Sequence, residues 1–224
     1  MEVEEACFDG EDVGDGRLLA GMLRPKDSAY PVSLRRLSLV RCGINDSGGI
    51  ALAESIGPNL VELVMTGNGL SDGAALALSR NLRRLERLGL GNNEVGATGA
   101  RVLADKTLRE LTLSGNRRMG DKGLMAVAEV LPKSTLMVLR LDACDCGSFR
   151  AASLLASALR VNRNLLTLSL SKNLFDDDGI IAISRALEHP HSSLRHLDLS
   201  DNIFGVQGAV AVGAALKHNE PFIR

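Results

Sequence analysis

Tryptophan is absent from the 224 residues, tyrosine occurs once, and aromatics make up 3% of the chain. A compact interior is ordinarily filled with aromatic bulk. The 45% apolar content, dominated by leucine and alanine, therefore points to a thin and repetitive core. An excess of charge of either sign is also lacking, since 26 Lys and Arg stand against 27 Asp and Glu for a net charge of −1. That removes the general electrostatic case for nucleic acid or an anionic membrane as partner. The longest apolar run, Gly208 to Leu216, falls far short of the roughly 20 residues of a membrane-spanning helix, so no membrane insertion is expected. Four cysteines, Cys7, Cys42, Cys144 and Cys146, are too few and too uneven for a disulfide framework. No basic segment followed by an apolar stretch opens the chain, so no signal peptide is expected. A reducing, cytoplasmic location fits.

What is present is a repeat. The pattern L-x-x-L-x-L-x-x-(N/C) occurs seven times, starting at Leu34, Leu60, Leu85, Leu108, Leu136, Leu165 and Leu194, with spacings of 26, 25, 23, 28, 29 and 29 residues. Its second half alternates apolar and polar residues, the period of a strand with one buried face. Pairs such as Leu37 and Leu39, Leu111 and Leu113, or Leu197 and Leu199 should point inward together. An Ala-rich run at helical spacing follows each motif, as in Phe175, Gly179, Ile181, Ile183 and Leu187. One strand and one helix per repeat follow, and with them an α/β solenoid.

The ninth motif position holds Asn68, Asn93, Asn116, Asn173 and Asn202, with Cys42 and Cys144 in the other two copies. A buried amide there can satisfy backbone donors and acceptors where the chain leaves the strand, so these seven residues are expected to form a structural ladder. The organisation implied is an acidic segment at 1–16, a degenerate repeat at 17–33 whose strand is lost, and seven repeats at 34–224. Residues 1–16 hold seven acids and no Lys or Arg. Ile223 lies seven residues beyond Leu216, as Leu194 lies seven beyond Leu187, so another strand would begin there. No polar cap is evident at that end, so either the array is part of a longer one or a partner covers the open end, end-to-end contact being one form of such cover.

The motif, the Asn/Cys alternation, the period near 29 and the full helix per repeat resemble the ribonuclease-inhibitor-like subclass of leucine-rich repeats. That subclass includes ribonuclease inhibitor, the GTPase-activating protein of Ran and the repeat regions of NOD-like receptors. The resemblance implies a right-handed, horseshoe-shaped arc with a concave parallel sheet and convex helices, and a protein partner held on the concave side. It fixes fold better than function. Aromatic contacts, which it implies for ribonuclease inhibition, do not occur on the outward strand positions here.

Those outward positions, the third, fifth and seventh of each motif, give the candidate binding surface: Arg36, Glu62, Arg87, Glu110, Arg140, Asp142, His196 and Asp198. Other constellations fall short. Cys144 and Cys146 alone do not complete a tetrahedral metal site. Asp176-Asp177-Asp178-Gly179 would need a calcium ligand at Leu174 and a bidentate acid at Arg185, and acids at a helix N-terminus account for it better. Gly91 to Thr98 has the glycine spacing of a phosphate loop without its Lys. His189, His191 and His196 are divided between a connection and a strand. No catalytic constellation, cofactor or metal is expected. The reading is a protein-interaction module, a scaffold or a subunit of a larger assembly of cytoskeletal or ciliary kind. The alternatives are a GTPase-activating regulator, which would bind a small GTPase, and a receptor's sensor repeats.

Overall fold

The computed structural model describes residues 4–23, 34–105, 107–189 and 192–218. The second part of the 17–33 repeat, His191, and the strand expected around Ile223 lie outside the described residues.

Among the described residues, eight three-residue strands alternate with eight α-helices. The strands are β1 (Glu5–Cys7), β2 (Arg36–Ser38), β3 (Glu62–Val64), β4 (Arg87–Gly89), β5 (Glu110–Thr112), β6 (Val138–Arg140), β7 (Thr167–Ser169) and β8 (His196–Asp198). The helices are α1 (Arg17–Leu23), α2 (Asp46–Ser55), α3 (Asp72–Asn81), α4 (Ala97–Ala104), α5 (Gly120–Val130), α6 (Phe149–Val161), α7 (Asp177–Leu187) and α8 (Val206–His218). The strands form one parallel sheet in chain order, an α/β leucine-rich-repeat solenoid. Register is continuous, with Leu37, Leu63, Leu88, Leu111, Leu139, Leu168 and Leu197 side by side. The fourth and sixth motif positions are buried throughout, except that Leu197, on the edge strand, is half-buried.

The turn out of each strand has one recurring geometry. At the eighth motif position φ is positive in every repeat: Gly10, Arg41, Gly67, Asn92, Gly115, Ala143, Lys172 and Asp201. At Gly115 a Cβ would also press on the side-chain amide of exposed Asn92, which would have to turn aside. The left-handed residue turns the chain inward so that the ninth side chain sits beneath the strand ends. Asn93 Nδ2 donates to the Met65 carbonyl of the preceding repeat (2.9 Å) and to its own Leu90 carbonyl (3.1 Å), while its Oδ1 accepts from the N–H groups of Asn68 (3.2 Å) and Leu70 (3.1 Å). Asn68, Asn116, Asn173 and Asn202 bond in the same way. The thiols of Cys42 and Cys144 each donate to the equivalent carbonyl of the preceding repeat, Phe8 (3.0 Å) and Leu113 (3.4 Å).

A second set of bridges runs along the helix starts. The carboxylates of Asp46, Asp72, Asp121 and Asp177 do not cap their own helices. Each reaches the N-terminal N–H groups of the next helix: Asp46 to Ser71 and Ala74, Asp72 to Gly96 and Gly99, Asp121 to Gly147 and Ser148, and Asp177 to Gly205 and Gly208, at 2.6–3.0 Å. Orphan helix donors are thereby satisfied by a side chain of the preceding repeat.

The acidic N-terminal stretch differs from the expectation of a separate segment followed by a strandless repeat. Glu5–Cys7 pairs parallel with β2, Glu5 opposite Arg36 and Cys7 opposite Ser38, and α1 packs Leu19 and Ala20 into the core. Residues from Glu5 onward therefore build the first turn of the solenoid. The acids are tolerated because Glu5 and Asp9 point to the solvated face, where each finds a partner in the next repeat.

Two substitutions test the turn from opposite sides. Asn116→Ala leaves the Leu90 and Leu113 carbonyls and the Val95 N–H without this buried partner and is expected to cost roughly 2–4 kcal/mol. Lys172→Gly removes the cost of a left-handed residue carrying a side chain and is expected to gain about 0.5–1 kcal/mol. Urea denaturation midpoints report both.

Candidate functional site

The sheet places the third-position side chains in one row across its concave face: Glu5, Arg36, Glu62, Arg87, Glu110, Val138, Thr167 and His196. Charge alternates along the first five, and the strands stand close enough to satisfy it internally. Arg36 Nη2 lies 2.9 Å from Glu5 Oε2, and Arg87 Nη2 lies 2.8 Å from Glu62 Oε2, each carboxylate oxygen also accepting from the guanidinium Nε. The hydrogen bond to the Glu62 carboxylate raises the Arg87 pKa above its ordinary value, and the bond to Glu5 does the same for Arg36. Glu110 comes next in the row and forms no ion pair among the described residues.

Asp142 and Asp198 have different environments from the basic residues. Asp142 accepts from the hydroxyls of Ser114 (2.9 Å), Ser169 and Ser171 (3.0 Å) and from the Ser171 N–H (3.0 Å), so it ties three repeats together. Asp198 accepts from the Ser200 hydroxyl (2.7 Å) and N–H (3.0 Å), which hold its carboxyl below the usual carboxylate range. Asp9 repeats this arrangement with the Ser38 hydroxyl (2.6 Å) and Val40 N–H (2.9 Å) and is lowered likewise. Arg140 stands on the same strand as Val138, exposed and without an ion pair among the described residues. The candidate residues thus divide into two ion pairs, two hydroxyl-bound carboxylates, and a remainder of half-buried Glu110 and exposed Arg140 and His196, which form no ion pair among the described residues.

Asp9 belongs to this face and was missed in the sequence. Its signal was available in Phe8, which takes the sixth motif position if the pattern is extended back to Val3; the weak fourth residue, Ala6, concealed it.

The cysteines contribute structure. Burial pushes the Cys144 thiol up to about 12 and raises Cys146 and Cys42 as well; Cys146 bonds to Asn173 Oδ1 (3.3 Å). Thiols held protonated in this way are poor nucleophiles and poor metal ligands. At the far end of the sheet, Leu197, Leu199, Phe204, Val212 and Leu216 line an apolar cleft of about 390 Å³. Among the described residues no helix is long and apolar enough to cross a membrane.

With the geometry in place, comparison with known proteins adds ancestry. The family model described as "Leucine Rich repeat" matches residues 31–53, 58–79, 105–128, 161–184 and 191–213. The chain belongs to the leucine-rich-repeat family, in its ribonuclease-inhibitor-like branch. It is 33% identical to the ribonuclease inhibitor of Sus scrofa over 196 residues, covering 82% of this chain and 41% of that protein. It is 34% identical to NACHT, LRR and PYD domains-containing protein 12 of Mus musculus over 169 residues, covering 70% of this chain and 16% of that one. The chain therefore spans less than half the length of these relatives. Among solved structures, the yeast Rad7 and Elc1 complex aligns with a TM-score of 0.53 at 20% identity over 80% of this chain and 54% of that one. Leiomodin-1 actin-binding site 2 aligns at 0.51 and 20%, over 56% of this chain and 75% of that one. These two share the fold.

The thiol environments make a labelling prediction. Iodoacetamide at about pH 7.5 should alkylate exposed Cys7 in the native chain and reach Cys42, Cys144 and Cys146 only after denaturation, as read by peptide mass spectrometry.

Proposed function

We propose that the chain is a protein-interaction module without enzymatic activity of its own. It serves as a cytoplasmic scaffold or subunit of a larger assembly and holds its partner against the concave face. The observation that carries this reading is the division of charges on that face. Two ion pairs neutralise Glu5, Arg36, Glu62 and Arg87, and hydroxyls hold the carboxylates of Asp9, Asp142 and Asp198, while Glu110 and Arg140, on neighbouring strands and two register positions apart, carry opposite charges without an ion pair among the described residues. Such a pair favours a polar partner that presents its own complementary pair. The absence of aromatics from these rows argues for moderate affinity, since hot spots draw on Trp, Tyr and Arg. Proteins of related fold support a binding role: the solved neighbours are titled for an actin-binding site and for a complex with Elc1.

A second reading is favoured by the 34% identity to a NACHT, LRR and PYD protein over 70% of the chain. In that case the repeats act as the sensor region of such a receptor, and the same face would meet its ligand.

Affinity capture from native extract, with mass spectrometry of what co-purifies, tests the module. The Glu110→Arg, Arg140→Glu double variant is expected to lose a stoichiometric partner that the unaltered chain retains, by about tenfold or more in recovered amount. Retention of that partner would move the interface off this face.

A further inference from the structure

The lower rim of the solenoid, where helices end and strands begin, carries a cleft of about 590 Å³ outside the concave face. Four guanidiniums line it, those of Arg35, Arg83, Arg84 and Arg109, against two carboxylates, Glu4 and Glu86. The acids neutralise the bases only in part. Glu86 meets Arg109 at 3.7 Å, and Arg84 donates to the Asn59 amide oxygen at 3.3 Å. Arg35 and Arg83 form no ion pair among the described residues. Half-buried Val61 adds apolar surface among the charges, while Leu85 lies buried in the core beside it.

We infer that this rim is a second docking surface, for an acidic peptide segment of a partner protein with an apolar residue among its carboxylates. Guanidinium forks match carboxylates in geometry as well as charge, and the half-buried Val61 gives the apolar residue a contact. A nucleic acid fits less well. Two acids stand in the wall against phosphates, no aromatic among the described residues lines the cleft to stack on bases, and the chain's net charge is −1. The basic groups belong to the connections that lead into β2, β4 and β5, so a segment lying across them would bridge three repeats. A partner could then hold the concave face and the rim at once, and two modest contacts would act as one tighter one.

The probe is a fluorescein-labelled nonapeptide of glutamate pairs separated by leucines, titrated with the full chain by fluorescence anisotropy. Binding should weaken as sodium chloride is raised from 50 to 300 mM and fall by about tenfold or more in the Arg35→Glu, Arg83→Glu, Arg84→Glu variant. Circular dichroism confirms that this variant folds, and the triple Arg→Ala variant provides a milder form that should also lose affinity. Arg185→Glu, exposed on α7 and outside both surfaces, should leave peptide affinity unchanged. No binding by the unaltered chain, or equal binding by both rim variants, would overturn the inference. So would tighter binding of a single-stranded oligonucleotide of equal charge. Self-association of the chain that disappears in the rim variants would assign the cleft to a second copy and overturn it too.

Discussion

Each turn of this solenoid must leave a buried strand through a left-handed residue, and that exit points backbone carbonyls and N–H groups of two successive repeats into a dry interior. An unmade hydrogen bond there would cost on the order of 1–3 kcal/mol, repeated at every turn. One side-chain amide answers both repeats: Asn68, Asn93, Asn116, Asn173 and Asn202 each join their own strand end to the preceding one. The consequences reach outward. Because the turns are locked at a common height, the strands hold continuous register, and their outward residues fall into straight rows. Because the helix starts are likewise aligned, a carboxylate on one can cap the next.

Straight rows then dictate the electrostatics of the concave face. Neighbouring strands bring third-position side chains within reach of one another, so like charges would repel and alternating charges pair. Glu5 with Arg36 and Glu62 with Arg87 follow that rule. The alternation stops where Val138 succeeds Glu110, and that interruption leaves Glu110 and Arg140 available. A face whose charges are in part ion-paired and in part held by hydroxyls is suited to recognising one polar pattern and rejecting mismatched ones, more than to tight apolar grip. The rim cleft adds charge of one sign at a distance from it.

The fold was legible because the nine-residue motif encodes both the period-two strand and the buried amide. Cys42 and Cys144 were recognisable in the same slot because a small thiol can donate to the same carbonyl. The first turn was not legible, since Ala6 and Phe8 stand where the motif has leucines and the acids around them resemble a solvated tail. Macrodipole reasoning explained the acids at helix starts, yet spacing within one repeat could not disclose that Asp46, Asp72, Asp121 and Asp177 reach forward into the next. The concave residues were legible as positions and not as states. Sequence spacing put Asp142 on the surface, but only the packed sheet shows its oxygens engaged by three serines.

The most direct measurement of the central claim, that a protein partner sits on the concave sheet, is photo-crosslinking with benzoylphenylalanine placed singly at Val138, Thr167, Ser153 or Ala182. The account predicts that a partner is captured from the two strand positions and not from the two helical ones. Capture from Ser153 or Ala182 alone would contradict it and assign recognition to the convex side.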